Sequence, residues 1–179
     1  MDKTLEYYEI NADKFSAGTI DVEFGDVQNR FLSFVPDGGT ILDFGCGSGR
    51  DTKYFMGKGY LVDATDGSEK LCEIAGRHTG IEVKNMLFSE LDAESKYDGI
   101  WACSSVLHLP KRELKSVFAK MIRAVKPDGY IYSSFKYGNF EGYRNDRYFT
   151  DFTQETFHGF IEEFHEITIT EEWVSSDVR

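Results

Sequence analysis

The stretch from Ile41 to Asp51 reads ILDFGCGSGRD, an apolar run carrying an acid at Asp43 and then glycine at Gly45, Gly47 and Gly49. Glycine at alternate positions removes three Cβ atoms and permits positive φ, so the loop is made for close approach to its backbone. A helix leaving the loop from about Arg50 would aim its free N–H groups into the same space. A dinucleotide, a phosphate or another cofactor are the candidates, and spacing separates them. A dinucleotide fingerprint needs GxGxxG, but the sixth residue counted from Gly45 is Arg50. A P-loop needs GxxxxGK followed by Ser or Thr, and the chain has none.

An acid two residues ahead of Gly45 repels a pyrophosphate and suits a ligand that carries a cationic amine and a sulfonium. That chemistry is S-adenosylmethionine. Asp66 stands 23 residues after Asp43, in DATDGS. A carboxylate there offers acceptor lone pairs for both hydroxyls of a ribose. His108 is the candidate base, should the acceptor arrive protonated. Lys136, Tyr137, Arg144, Arg147 and Tyr148 concentrate positive and aromatic groups, a local charge that suits an anionic substrate. Cys46, inside the glycine loop, reads as a small buried residue. Arg50 is placed to pair with Asp43 or Asp51, or to reach a cofactor carboxylate.

These residues need elements to hold them. Leu5, Tyr8, Ala12 and Phe15, then Phe24, Val27, Phe31 and Phe34, fall at helical spacing and predict two leading helices. Strands are predicted at TILDF, at YLVDAT from Tyr60, at IEVKNML from Ile81, at YDGIWAC from Tyr97, at YIYSSF from Tyr130 and at EITITEEWV near the end. Helices are predicted from Arg50 to Gly57, from a Ser68 cap to about Gly76, across Leu114 to Val125, and from a Thr153 cap with Phe157, Phe160 and Phe164 on one face. Strands alternating with helices predict a doubly wound, mostly parallel sheet covered on both faces. The whole of 1–179 is read as one domain: a helical lid at 1–35, a cofactor-binding core at 40–135, a substrate-side loop at 136–152 and a final helix and strand at 153–179.

The 179 residues are 41% hydrophobic and 15% aromatic, which fits one globular domain. A formal net charge of −11 argues against a phosphate-backbone partner, so no nucleic acid is expected. Cys46, Cys72 and Cys103 are scattered and odd in number, which excludes a disulfide framework and fits a reducing, cytoplasmic setting. The four histidines have no metal-ligand spacing, so no metal is expected. No apolar run reaches the roughly 18 residues of a membrane span, and MDKTLEYYEI is not a signal peptide.

In this order ILDFGCGSGRD, DATDGS, YDGIWACSSVLHLP and KPDGY resemble the motifs of class I S-adenosylmethionine-dependent methyltransferases, over Thr40 to Phe135. The flanking EYYEINADKF and YSSFKYGNFEGYRNDRYF resemble small tellurite-resistance-like methyltransferases. The resemblance implies a Rossmann-like sheet of seven strands, the last antiparallel. It implies that Gly45, Cys46 and Gly47 line the methionine moiety, with Asp43 near its amine. Asp66 would take the ribose. Met86 and Leu87 would flank adenine, and Cys103 to Ser105 would lie beneath the cofactor. Tyr7 or Tyr8 would act as the lid. Gly49, Arg50 and Gly67 complete the expected cofactor set. Met86 stands where relatives often carry an acid, and no residues follow WVSSDVR for a seventh strand, which reads as a truncated chain, the alternative being a sheet of six strands. The expected activity is methyl transfer to a small molecule. A protein or RNA acceptor, or a cofactor-binding protein without catalysis, are the alternatives.

Overall fold

The computed structural model describes residues 2–176. Among the described residues, five strands form one parallel sheet in the order β3-β2-β1-β4-β5: β1 Thr40–Phe44, β2 Leu61–Asp66, β3 Val83–Asn85, β4 Tyr97–Ala102 and β5 Val125–Ser133. The chain order reverses beside β1, and the carboxyl ends of β1 and β4 open side by side. Ligands bind at such a switch point in open α/β sheets.

Period-two alternation sends the strand residues to two covered faces. Ile41 and Trp101 pack with Phe31 and Val35 and with Phe55, on α3 Gly25–Leu32, its following turn and α4 Arg50–Gly57. Leu42, Phe44, Ile100 and Ala102 face the opposite way, against α6 Lys111–Ala124 and α7 Gln154–Ile161. A third, small cluster joins Cys46 and Ala64 to Ala75 of α5 Glu69–Thr79. Both faces of the sheet are therefore apolar and helix-covered, as alternating elements predict. Ser68 caps α5 by accepting from Leu71 N at 3.2 Å, and Thr153 caps α7 by accepting from Thr156 N at 3.2 Å.

The structure departs from the sequence reading in four places. The leading helix is broken at Asn11 into α1 Lys3–Ile10 and α2 Ala12–Ala17. Lys126 to Gly129 is not a turn before a strand; it lies inside β5. Tyr97 pairs with Val125 and Gly99 with Tyr130, so the extra residues bulge out of the ladder, with Asp128 at φ 61°. The substrate-side loop contains an antiparallel hairpin, β6 Glu141–Arg144 and β7 Arg147–Thr150, closed by Asn145 and Asp146 with φ of 48° and 62°.

The fourth departure is EITITEEWV, which is not a strand. Its alternation is real, because Ile167 and Ile169 pack on the core. Yet no strand pairs with it. It lies alongside β5 instead, tied by Arg30 to Glu171 at 2.6 Å and by Trp173, under the Arg30 guanidinium at 4.0 Å and 6.0 Å from Tyr132.

Candidate cofactor and acceptor site

The site begins where β1 ends. Gly45 N and Cys46 N both donate to Thr65 O at 2.9 Å, which folds the loop back toward β2. Gly45 has φ 85°, and a Cβ there would lie 2.5 Å from Ser105 Cβ and 3.1 Å from the Phe88 ring. Gly49 caps α4 at φ 80°, and a Cβ would meet Thr79 at 2.9 Å and Ala75 at 3.1 Å. Gly47, at φ 55°, would bring a Cβ within 3.0 Å of the Phe15 ring, so all three glycines are demanded by the protein's own neighbours. Between them the loop backbone faces a cavity of about 1420 Å³.

Asp66, at the end of β2, ties that loop in place. Its Oδ2 accepts from Gly47 N and its Oδ1 from Ser68 N, each at 2.9 Å. Burial pushes its carboxyl above the usual range, and the backbone N–H groups of Ser68, Gly47 and Gly67 oppose that push. Each oxygen keeps lone pairs for a further donor. The residues present fit an adenosyl group on this observation: a carboxylate oriented by the glycine loop itself, at the mouth of the sheet. Met86 is buried and Leu87 exposed on the far side of Asp66, and both line the cavity with Gly67, Cys103 and Ser104. Ser104 sits at φ 49°, held by a bond from its N–H to Ser134 Oγ at 2.8 Å. Burial raises the Cys46 thiol well above its ordinary value and the Cys103 thiol to about 12, so both are neutral thiols.

Asp43 and Gly49 do not line the cavity. Alternation puts Asp43 on the face of Ile41, against α4, where its Oδ2 accepts from Thr52 Oγ1 at 2.5 Å. Burial, then the nearby Asp51, pushes Asp43 up to about 8. Arg50 lines the cavity but chooses Asp51 as its partner, with bonds of 2.8 and 3.0 Å. Asp51 also accepts from Gln28 Nε2 at 2.6 Å and Trp101 Nε1 at 2.9 Å, so this buried acid is fully partnered.

The opposite wall comes from distant parts of the chain. The 3₁₀ turn Val106–His108 after β4 carries His108, which is 8% exposed. Its Nδ1 lies 2.6 Å from Tyr148 O and its Nε2 2.8 Å from Tyr8 Oη. Arg147 Nη1 stands 3.4 Å from the same Tyr8 oxygen. Burial, with Arg147 adding to it, lowers the imidazole to about 4. Tyr8 and Phe15, edge to face at 5.1 Å, roof the glycine loop.

Of the acceptor-side residues, Lys136 and Tyr137 line the cavity and Arg144 and Tyr148 do not. Arg144 pairs with Asp151, and the Tyr148 hydroxyl bonds Glu141 at 3.2 Å. Tyr148 serves through its backbone, its carbonyl on His108 and its N–H on Thr4 Oγ1 at 2.9 Å. Thr4 was not singled out from the sequence, and Phe15 only as a helical position of the leading segment. No local signal marks them, because their roles exist only once α1 and α2 lie over the sheet. Among the described residues no group of His, Cys, Asp and Glu is arranged to hold a metal, and no helix is long and apolar enough to cross a membrane.

Residues 41–129 match the family model described as a methyltransferase domain. Methyltransferase GfsG of Streptomyces halstedii is 31% identical over 105 residues, covering 53% of this chain and 37% of that protein. The putative methyltransferase YqeM of Bacillus subtilis is 27% identical over 114 residues, covering 57% and 46%. The chain thus spans less than half the length of these two curated relatives. Among solved structures, the 1,6-didemethyltoxoflavin-N1-methyltransferase of Burkholderia thailandensis, holding 1,6-didemethyltoxoflavin and S-adenosylhomocysteine, superposes with a TM-score of 0.66. The two are 22% identical, with 89% of this chain and 78% of that one covered, so the shared feature is the fold.

Proposed function

We propose, from the match of residues 41–129 to a methyltransferase-domain family model, that the chain transfers a methyl group from S-adenosylmethionine to a small-molecule acceptor. The observation that carries this reading is Asp66, whose two oxygens are aimed by the N–H groups of Gly47 and Ser68 at the mouth of the sheet. The loop of Gly45, Cys46 and Gly47 takes the methionine end, Asp66 the ribose hydroxyls, and Met86, Leu87 and Gly67 the adenine. Cys103 and Ser104 form the floor and Tyr8 the roof. When bound, S-adenosylmethionine supplies the electrophilic methyl carbon. The protein's part is to hold the acceptor in line, exclude water and accept a proton where one must leave.

A small acceptor fits the enclosure. The acceptor wall lies beneath α1 and the β6–β7 hairpin, and Lys136, Tyr137 and Arg147 line it. Among the described residues Arg147 forms no ion pair, and its Nε is buried without a hydrogen-bond partner. That cation, which also lies over the Tyr7 ring at 4.7 Å and the Phe149 ring at 5.3 Å, suits an anionic substituent on the acceptor. The net charge of −11 disfavours an RNA acceptor.

Calorimetric titration with S-adenosylhomocysteine tests the cofactor. Wild type binds in the micromolar range and Asp66→Ala loses about 100-fold, the worth of two hydrogen bonds to a charged group. Well-folded wild type that fails to bind defeats the reading. Labelled cofactor incubated with cell extract then separates small from macromolecular products by size.

A further inference from the structure

Resting on that reading, we propose that Tyr8 and His108 form a proton relay, so that the acceptor is one that arrives protonated, as a hydroxyl or an N–H, rather than as a ready-made anion. The argument starts from the Tyr148 carbonyl. A carbonyl oxygen can only accept, so at 2.6 Å the His108 Nδ1 must carry a hydrogen. In the neutral ring Nε2 then holds a lone pair, and the Tyr8 hydroxyl, 2.8 Å away, must be the donor to it. The environment keeps the ring neutral: it is buried, Arg147 faces it from β7, and Asp2, at the N-cap of α1, is the acid that opposes Arg147.

Tyr8 therefore stands between His108 and any group on the acceptor side. The histidine is a base that works through the tyrosine oxygen, which makes Tyr8 the catalytic residue and His108 its positioning partner. That oxygen gives one hydrogen to Nε2, and the Arg147 guanidinium is poised at 3.4 Å to donate to it. Tyr8, His108 and Arg147 all line the same cavity, so a ligand held there meets the tyrosine before the histidine. The acceptor's proton moves to Tyr8 Oη while the Tyr8 proton moves to His108 Nε2. The acceptor's lone pair forms the bond to the methyl carbon, and the electrons of the carbon–sulfur bond stay on sulfur. One positive charge leaves the sulfonium and one appears as the His108 imidazolium, so charge and protons balance. Arg147 holds the transient negative charge on Oη. An acceptor already anionic, such as a thiolate, has no use for this apparatus.

The test reads the ring nitrogens directly. Protein labelled with ¹⁵N at histidine is followed by NMR from pH 8 to pH 4, with and without S-adenosylhomocysteine. The relay requires the Nδ1–H tautomer at pH 7 and a ring that protonates well below its ordinary range. In Tyr8→Phe the Nε2 resonance moves as its donor is lost. An Nε2–H tautomer, or an imidazolium at pH 7, overturns the relay whether or not turnover is found. The second arm measures methyl transfer from labelled S-adenosylmethionine to the low-mass fraction of cell extract. His108→Gln preserves a hydrogen-bond acceptor for Tyr8 but takes no proton. It should lose about 100-fold in kcat or more, as should Tyr8→Phe, while S-adenosylhomocysteine binds His108→Gln within threefold of wild type. Wild-type turnover in His108→Gln overturns the relay and leaves methyl transfer standing. Wild type that binds no S-adenosylhomocysteine defeats the methyl-transfer reading, and the ring-nitrogen result still decides the relay.

Discussion

The two walls of the cavity are built on opposite plans. The wall proposed for the cofactor is made from short stretches that follow one another at the ends of β1 and β2, and its acid at Asp66 is held by backbone N–H groups. The acceptor wall joins Tyr8 to His108 across 100 residues and Thr4 to Tyr148 across 144. Its buried groups are held by one another's side chains and by the backbone N–H and carbonyl of Tyr148. The first wall is fixed by sheet geometry. The second exists only while α1 stays docked.

That contrast is open to direct attack, and the largest effect belongs to the cofactor wall. Gly45→Val should cost about 3 kcal/mol or more of folding stability, read by urea unfolding, because the left-handed φ and the 2.5 Å approach to Ser105 both oppose a side chain. A smaller loss would mean that the loop is less fixed than the sheet beneath it. Asp43→Asn comes next, and it acts through pH. Folded Asp43 holds its proton up to about 8 against an ordinary 3.8, so between those limits the native state binds more protons than the unfolded chain. Stability therefore falls as pH rises through that window. Asparagine abolishes this dependence, and Asp43→Asn should be more stable than wild type at pH 8 and nearly equal to it at pH 4. Equal slopes for the two proteins would show that Asp43 is ionised.

On the acceptor wall, Thr4→Val removes the hydroxyl that accepts from Tyr148 N and should cost about 1 kcal/mol. Most of that cost should appear as faster hydrogen exchange in α1, leaving β1 and β4 unchanged. Protection lost throughout the sheet would erase the distinction between the walls. The smallest effect lies outside both. Arg30→Ala breaks the pair with Glu171, whose side chains are 44% and 38% exposed, and the stacking on Trp173. Thermal unfolding should show no more than about 1 kcal/mol.

The same division governs what could be read from sequence. The glycine spacing, the alternation of TILDF and the Ser68 cap are local signals, and β1, the loop, α4 and α5 stand where those signals put them. The place of Asp66 at the end of β2 was legible, because it closes the predicted strand. Asp43 was not, because its neighbour Thr52 matters only after α4 has folded back on β1. The hairpin carried a readable signal in Asn145-Asp146 between alternating residues, a pair suited to positive φ. EITITEEWV misled because alternation specifies two faces while a strand also needs a neighbour to bond. His108 was visible as a histidine after β4, but the proton on its Nδ1 is decided by a carbonyl 40 residues away.

The 100 residues between Tyr8 and His108 also set a schedule for synthesis. At about 5–20 residues per second, the ribosome adds His108 roughly 5–20 s after Tyr8. An eight-residue helix such as α1 is marginal in isolation. It must wait, unstructured, while the strands that will receive it are still being made. The glycine loop and Asp66 leave the ribosome between the two, so the bond from Tyr8 to His108 is a contact of the roof that the growing chain can make only after both.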